Sequence, residues 1–167
     1  MKKVLPFAGL IAFVVAAVAM VLMLATNGII IKSGNLQVNV EGATVVFGKT
    51  DTVLGATIKT NPSVLALIGF ILLVVGLLAS CAAVLGGLLK VKALQKFGGL
   101  FMIIAAGCFL IAGIFMFLAV PSFYGANDAD VPNGAGLGAG WVIGAILALV
   151  GAAFSALPAI MGLLGKK

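Results

Sequence analysis

Four long apolar runs alternate with polar-rich segments along this chain. The runs cover about residues 4–26, 63–89, 97–120 and 139–164, and none contains Asp, Glu, Lys, Arg or His. Each is long enough, as a helix, to cross a hydrocarbon core of about 30 Å. The run at 63–89 would reach roughly 40 Å, so tilt or an emergent end is expected. The fold class predicted is an all-α integral membrane protein, a four-helix transmembrane bundle forming one domain over residues 1–167. The first run follows Lys2 and Lys3 as a secretory signal would. It is longer than a usual signal core, and bulky Met23 stands where a cleavage box before Ala25 wants a small residue. It is therefore expected to remain as the first membrane helix.

Between the first two runs the pattern changes. Leu36-Gln37-Val38-Asn39-Val40 alternates apolar with polar, and 43–47 and 52–58 are rich in β-branched residues. Turn signals at Ser33-Gly34-Asn35, Glu41-Gly42 and Gly48-Lys49-Thr50-Asp51 separate these pieces. The segment 28–61 is predicted to form a small antiparallel β meander with strands near 28–32, 36–40, 43–47 and 52–58. Leu36, Val38 and Val40 would share one face, as would Ala43, Val45 and Phe47, and Leu54, Ala56 and Ile58. So small a sheet needs cover from the helix ends, the other loop or a partner. Asn61-Pro62 predicts the start of the second helix, with Asn61 as its cap. Pro121 is expected to stop the third helix, and Pro158 to kink the fourth by freeing the Phe154 carbonyl. Residues 121–138 form a second, acidic loop, with Tyr124 and Trp141 beside it as interfacial aromatics.

The small residues add a second rhythm. Gly136, Gly140, Gly144, Ala148, Ala152 and Ala156 recur every four positions, with Gly151, Ser155 and Ala159 on the same side. Such a row predicts close approach by another helix. Ala8, Ala12 and Ala16 share that spacing, so the fourth helix is expected to cross the first, or its own copy in a dimer. The second run instead carries Gly69, Gly76 and Ala83 every seven residues, with Ser80 and Gly87 beside them. The third carries Gly98, Ala105, Ala112 and Ala119 at the same spacing, with Gly99, Ala106 and Gly113 alongside. These two should pack as an antiparallel pair along those seams.

Charge orients the bundle. The ten basic residues are all Lys. Lys2, Lys3, Lys90, Lys92, Lys96, Lys166 and Lys167 flank one side of the four-span arrangement, without acids. Lys32, Lys49 and Lys59 share the other side with Glu41, Asp51, Asp128 and Asp130. The positive-inside rule then predicts both termini in the cytoplasm and both polar segments, 28–61 and 121–138, outside. Compact loops and Lys-only basicity suit a multi-pass protein of a bacterial cytoplasmic membrane. Few Lys residues, all flanking apolar runs, do not make a nucleic-acid-binding surface.

Candidate chemistry is sparse. Within the runs the notable polar side chains are Ser80, Ser155, Cys81 and Cys108, and a Ser or Cys without a base nearby is not an activated nucleophile. Leu78-Ala79-Ser80-Cys81 matches a lipobox in letters but lies deep in the second run, so it is assigned to chance. The two Cys residues are assigned as small core hydrophobes. Asp128 and Asp130, with Asn127 and Asn133, are the best candidates for a cation site, although calcium wants six to eight oxygens. Gly134, Gly136, Gly138 and Gly140 lack the strand, helix and Lys of a phosphate loop. No catalytic residue, cofactor site or metal site is assigned.

Four helices with both termini inside, a longer β-containing first external loop and a shorter second one resemble the claudin-type tetraspan layout. The resemblance covers the whole chain as topology only. The family's W-G-L-W segment and following Cys pair have no counterpart, since residues 28–61 hold neither Trp nor Cys, and no functional residue is carried over. The function expected is non-enzymatic: a structural or protein-interaction component, with the bilayer and a protein partner or a second copy as its contacts. The alternatives are a channel, a transporter or binder of lipids or other apolar solutes and, more remotely, a subunit of a membrane enzyme complex.

Overall fold

The computed structural model describes residues 4–53, 56–89 and 91–164. Lys2, Lys3, Lys90, Lys166 and Lys167 of the charge argument, Leu54 of the strand argument and the side chain of Ala159 lie outside the described residues. The chain is mostly helical. Among the described residues four helices are long and apolar enough to cross a membrane: α1 (Val4–Ala25), α3 (Val64–Leu88), α4 (Lys92–Phe117) and α6 (Ala139–Leu164). Between α1 and α3 come β1 (Asn27–Ser33), β2 (Leu36–Glu41), α2 (Gly42–Phe47), β3 (Lys49–Val53) and β4 (Ala56–Thr60). Between α4 and α6 come α5 (Ala119–Ala126) and β5 (Ala135–Leu137). Both connecting segments gather at one end of the bundle, the capped end.

The four long helices form a ring in which α3 packs on α4, α6 packs on α1 and α4, and α1 closes against α3. On α1 and α6 the inward positions are mostly small. Ala8, Ala12, Ala16 and Ala19 of α1 are buried, as are Gly144, Ala145, Ala148 and Ala152 of α6. Bulk faces outward instead: Leu10, Ile11, Val14, Val18 and Val21 on α1, and Ile143 and Ile146 on α6, are exposed. This arrangement, small inside and branched outside, is what helices use to approach closely when the surrounding solvent is itself apolar. The α3 seam meets α4 beside the seam residue Ala112, while Gly113 of α4 meets Leu149 of α6 and Ala119 lies in α5. A Cβ placed on Gly69 would stand 3.5 Å from the Phe115 Cβ, and one on Gly76 would collide with the Phe109 ring at 2.5 Å.

Several boundaries differ from the sequence expectation. Residues 43–47 are not a strand. They lie in the short helix α2, whose adjacent Val45 and Val46 are both buried, and an extended strand would turn one of them away. The single strand at 52–58 is instead a hairpin, β3–β4, paired from Lys49↔Thr60 to Val53↔Ala56. The four-stranded meander is thus replaced by this hairpin and a separate sheet ordered β2-β1-β5, whose third strand comes from the second connecting segment. Helix α4 begins at Lys92, so Lys92 and Lys96 lie in its first two turns. Lys-Ala-Leu-Gln is a run of good helix formers with nothing to break it. Pro121 does not stop the third helix. The break falls at Leu118, and Pro121 is the third residue of α5. There its missing N–H would have had no intrahelical acceptor in any case. Helix α6 continues through Pro158.

Candidate interaction module at the capped end

The cap is built on the end of α1. A helix C-terminus leaves carbonyls without intrahelical partners, and here the next residue and distant segments meet them. The Thr26 hydroxyl donates to Leu22 O at 2.6 Å, and the Gly42 N–H donates to Thr26 O at 2.8 Å. The Trp141 indole Nε1–H donates to Met23 O at 2.6 Å. Trp141, expected in the interfacial belt, is fully buried at 0% exposure, and Tyr124 is buried as well. The Tyr124 ring stands edge-on to Phe123, 5.7 Å between centroids, and burial pushes its phenol pKa up. Burial suits the indole, because its N–H has a buried carbonyl to satisfy.

Glycine makes this junction possible. A Cβ on Gly42 would overlap Met23 O and crowd Trp141 Nε1, and a Cβ on Gly138 would overlap Asn27 O. Gly28 is the extra residue of a bulge between Asn27 and Ile29, where the register with β2 shifts. Bulges bend the strand that carries them, and here Gly28 lies against Val45, Gly42 and the Trp141 ring.

From that anchor the sheet extends outward. Ile29 pairs with Val40 on one side and Leu137 on the other, and Ile31 pairs with Val38 and Ala135. Leu36, Val38 and Val40 share a face, as the alternation predicts. That face is covered only at its inner end. Ile29 is buried, Ile31 and Val40 are half-buried, and Val38 and Leu36 are 57% and 75% exposed. Among the described residues β2 pairs with β1 alone, so its outer edge is open.

Two hydrogen-bond clusters lock the remaining pieces. Asn61, expected as the N-cap of the second helix, does not serve. Ser63 caps α3 by accepting from the Ala66 N–H at 3.2 Å. The Ser63 hydroxyl also donates to Ser122 Oγ of α5 at 2.9 Å, and the Ser63 N–H donates to Val45 O of α2 at 2.8 Å. Asn61 instead pairs with Asn127. The Asn61 N–H donates to Asn127 Oδ1 at 2.7 Å, and Asn127 Nδ2 donates to Asn61 O and to Phe123 O. The two connecting segments are therefore one unit. A Ser ahead of an apolar run was a visible cap signal, whereas the Asn61–Asn127 pairing, 66 residues apart in sequence, left no local trace.

The small-residue row divides. Gly136 is not on the fourth helix but in β5, opposite Ile30. The remaining members are on α6. A Cβ on Gly140 would overlap the Thr26 side chain, and one on Gly144 would stand 3.0 Å from Met116 Cε and 3.2 Å from Ala19 O. Ala148 and Ala152 are buried and Ala156 half-buried. This face of α6 therefore meets α1 and α4 of the same chain.

Asp128 and Asp130 are exposed after α5, and Asp128 adopts φ 50°. Among the described residues no group of three or more His, Cys, Asp or Glu converges as a metal site would require. Cys81 and Cys108 are free, partly buried thiols. The Ser63–Ser122 pair has no base among its hydrogen-bond partners, so its hydroxyls act as connectors. No model of a known protein family matches the chain, and no curated protein is similar to it in sequence.

Proposed function

We propose that this protein is a non-enzymatic, multi-pass component of the cell membrane that acts through protein–protein contact at its capped end. In this reading the four long helices span the bilayer, both termini are cytoplasmic and the cap faces outward. The broad apolar outer surface of the helices and the placement of Lys along the sequence support insertion and orientation. The single observation that carries the interaction reading is strand β2. It is paired along its length with β1, its outer edge is open among the described residues, and it exposes Leu36 and Val38. From Leu36 to Val40 it carries no charge, its one charged residue is Glu41 at the inner end, and it has no Pro. Soluble edge strands usually carry such devices to prevent pairing, and their omission suits a strand that receives a partner by strand addition. The alternative of conduction or solute binding gains less support. The middle of the bundle holds Phe109 and Met116, both fully buried, which leaves little room for a path through one bundle.

The test places a photo-crosslinking amino acid at Val38 in native membranes, with lipid-facing Ile146 as control. A protein adduct at Val38, reduced by Leu36→Lys in the same chain, is the expected result. Lipid-only or absent adducts at Val38 would sink the interaction reading. In the same preparations, single cysteines at Lys92 and Asp128, in a background lacking Cys81 and Cys108, should label from opposite sides. Same-side labelling would overturn the orientation.

A further inference from the structure

The deepest part of the bundle contains an arrangement that the capped-end reading does not use. The Phe109 ring of α4 lies between two glycines. It meets the Cβ position of Gly76 on α3 at 2.5 Å and that of Gly151 on α6 at 3.5 Å. One helical turn toward the other end of the bundle, the residues are Ser80 on α3, Ser155 on α6 and Ala105 on α4. Ala12 of α1 borders this level on the side of the Phe109 level, where its carbonyl lies 3.6 Å from the Gly151 Cβ position. All four are fully buried. One further turn on, the interior closes again, where a Cβ placed on Gly9 of α1 would stand 2.9 Å from Val84 of α3 and 3.4 Å from Met102 of α4. By the count of helical turns, these Ala and Ser side chains, one from each long helix, thus fall in a layer between two levels that hold larger ones.

The two hydroxyls in that layer are not equivalent. Ser80 Oγ donates to Leu77 O of its own helix at 3.0 Å, which leaves its lone pairs available to accept. Ser155 Oγ is fully buried and has no hydrogen-bond partner among the described residues. A buried hydroxyl without a partner is costly, and polar groups in protein interiors are as a rule satisfied by protein or by ordered water. A water needs two to four polar partners and a polar, roomy setting. Here Ser155 can donate, Ser80 can accept, and the Ala12 carbonyl borders the layer with a second lone pair.

We infer that the Ala12–Ser80–Ala105–Ser155 layer is a binding site for a single water molecule, held between Ser155 and Ser80. The ligand class is a neutral hydrogen-bonding molecule of that size. The layer supplies two hydroxyls and no carboxylate, too few oxygens of the right kind for a dehydrated cation. The inference does not depend on the interaction role of the cap.

The experiment is proton-detected solid-state NMR of the full chain in lipid bilayers, reading magnetisation transfer from water to the Ser80 and Ser155 side chains. Transfer to both is expected at short mixing times, with the transfer to Ser80 lost in Ser155→Ala. Absence of transfer to either, while exposed Asn133 shows it, would overturn the site. Thermal unfolding of Ser80→Ala, Ser155→Ala and the double variant gives a second reading. If water links the hydroxyls, Ser155→Ala lowers Tm and the two changes are not additive. If Ser155→Ala instead raises Tm equally with or without Ser80, the hydroxyl is a dry orphan and the inference fails.

Discussion

The Trp141 indole is the point where α6, α1 and the cap meet, and replacing it by Phe tests that junction. The substitution keeps an aromatic ring but removes the Nε1–H that donates to Met23 O at 2.6 Å inside a fully buried site. The lost bond leaves a buried carbonyl unsatisfied, at about 1–3 kcal/mol. The smaller ring leaves a cavity against Gly28 and Gly42, adding on the order of 1 kcal/mol. The sum, about 2–4 kcal/mol, shifts the unfolding equilibrium by roughly one to three powers of ten. The assay is equilibrium unfolding in mixed micelles by SDS titration, with Ile146→Phe, at an exposed position, as a control expected within about 0.5 kcal/mol of the parent. Trp141 is the only tryptophan, so the parent carries its own reporter. Its emission should be blue-shifted and resistant to both acrylamide and brominated lipids. A Trp141→Phe cost no larger than the control, or ready quenching by brominated lipid, would refute the buried indole–carbonyl contact and return Trp141 to the membrane interface.

Two other expectations follow from the packing. Gly140→Leu and Gly144→Leu should each destabilise by more than the ~1–3 kcal/mol of ordinary overpacking, because the new side chains would meet Thr26 and the α1 backbone. Half-buried Val142→Leu should cost far less, and equal tolerance at all three positions in the same SDS titration would show that the row is not an interface. Ser63→Ala should cost about 1–2 kcal/mol, as loss of an N-cap does, and should speed amide exchange at Ala66 together with Ser122 of α5. Exchange changing at Ala66 alone would mean that α3 and α5 are not coupled through this hydroxyl.

The four long helices were legible from sequence because uninterrupted apolar length is a local property. Their limits were predicted to within a few residues at most ends, and the inward small faces of α1 and α6 followed from spacing alone. Periodicity also placed β1 and β2 and the common face of Leu36, Val38 and Val40. Where the sequence misled, tertiary contacts decided the conformation. Residues 43–47 have β-branched composition, yet Gly42 is drawn to the end of α1 by the Thr26 carbonyl, and α2 buries Val45 and Val46 beneath the cap. Gly136 kept the spacing of the helical row but lies in β5, because β1 offers Ile30 as a partner. The burial of Trp141 as a donor was not written locally either, because it depends on a carbonyl at the end of α1 that faces it. In each case the missing information was which segment, distant in sequence, had a hydrogen bond or a cavity to fill. Hydrophobic length and small-residue spacing are written along the chain. The pairing of helix ends, loop backbone and buried hydroxyls exists only once the four helices stand side by side.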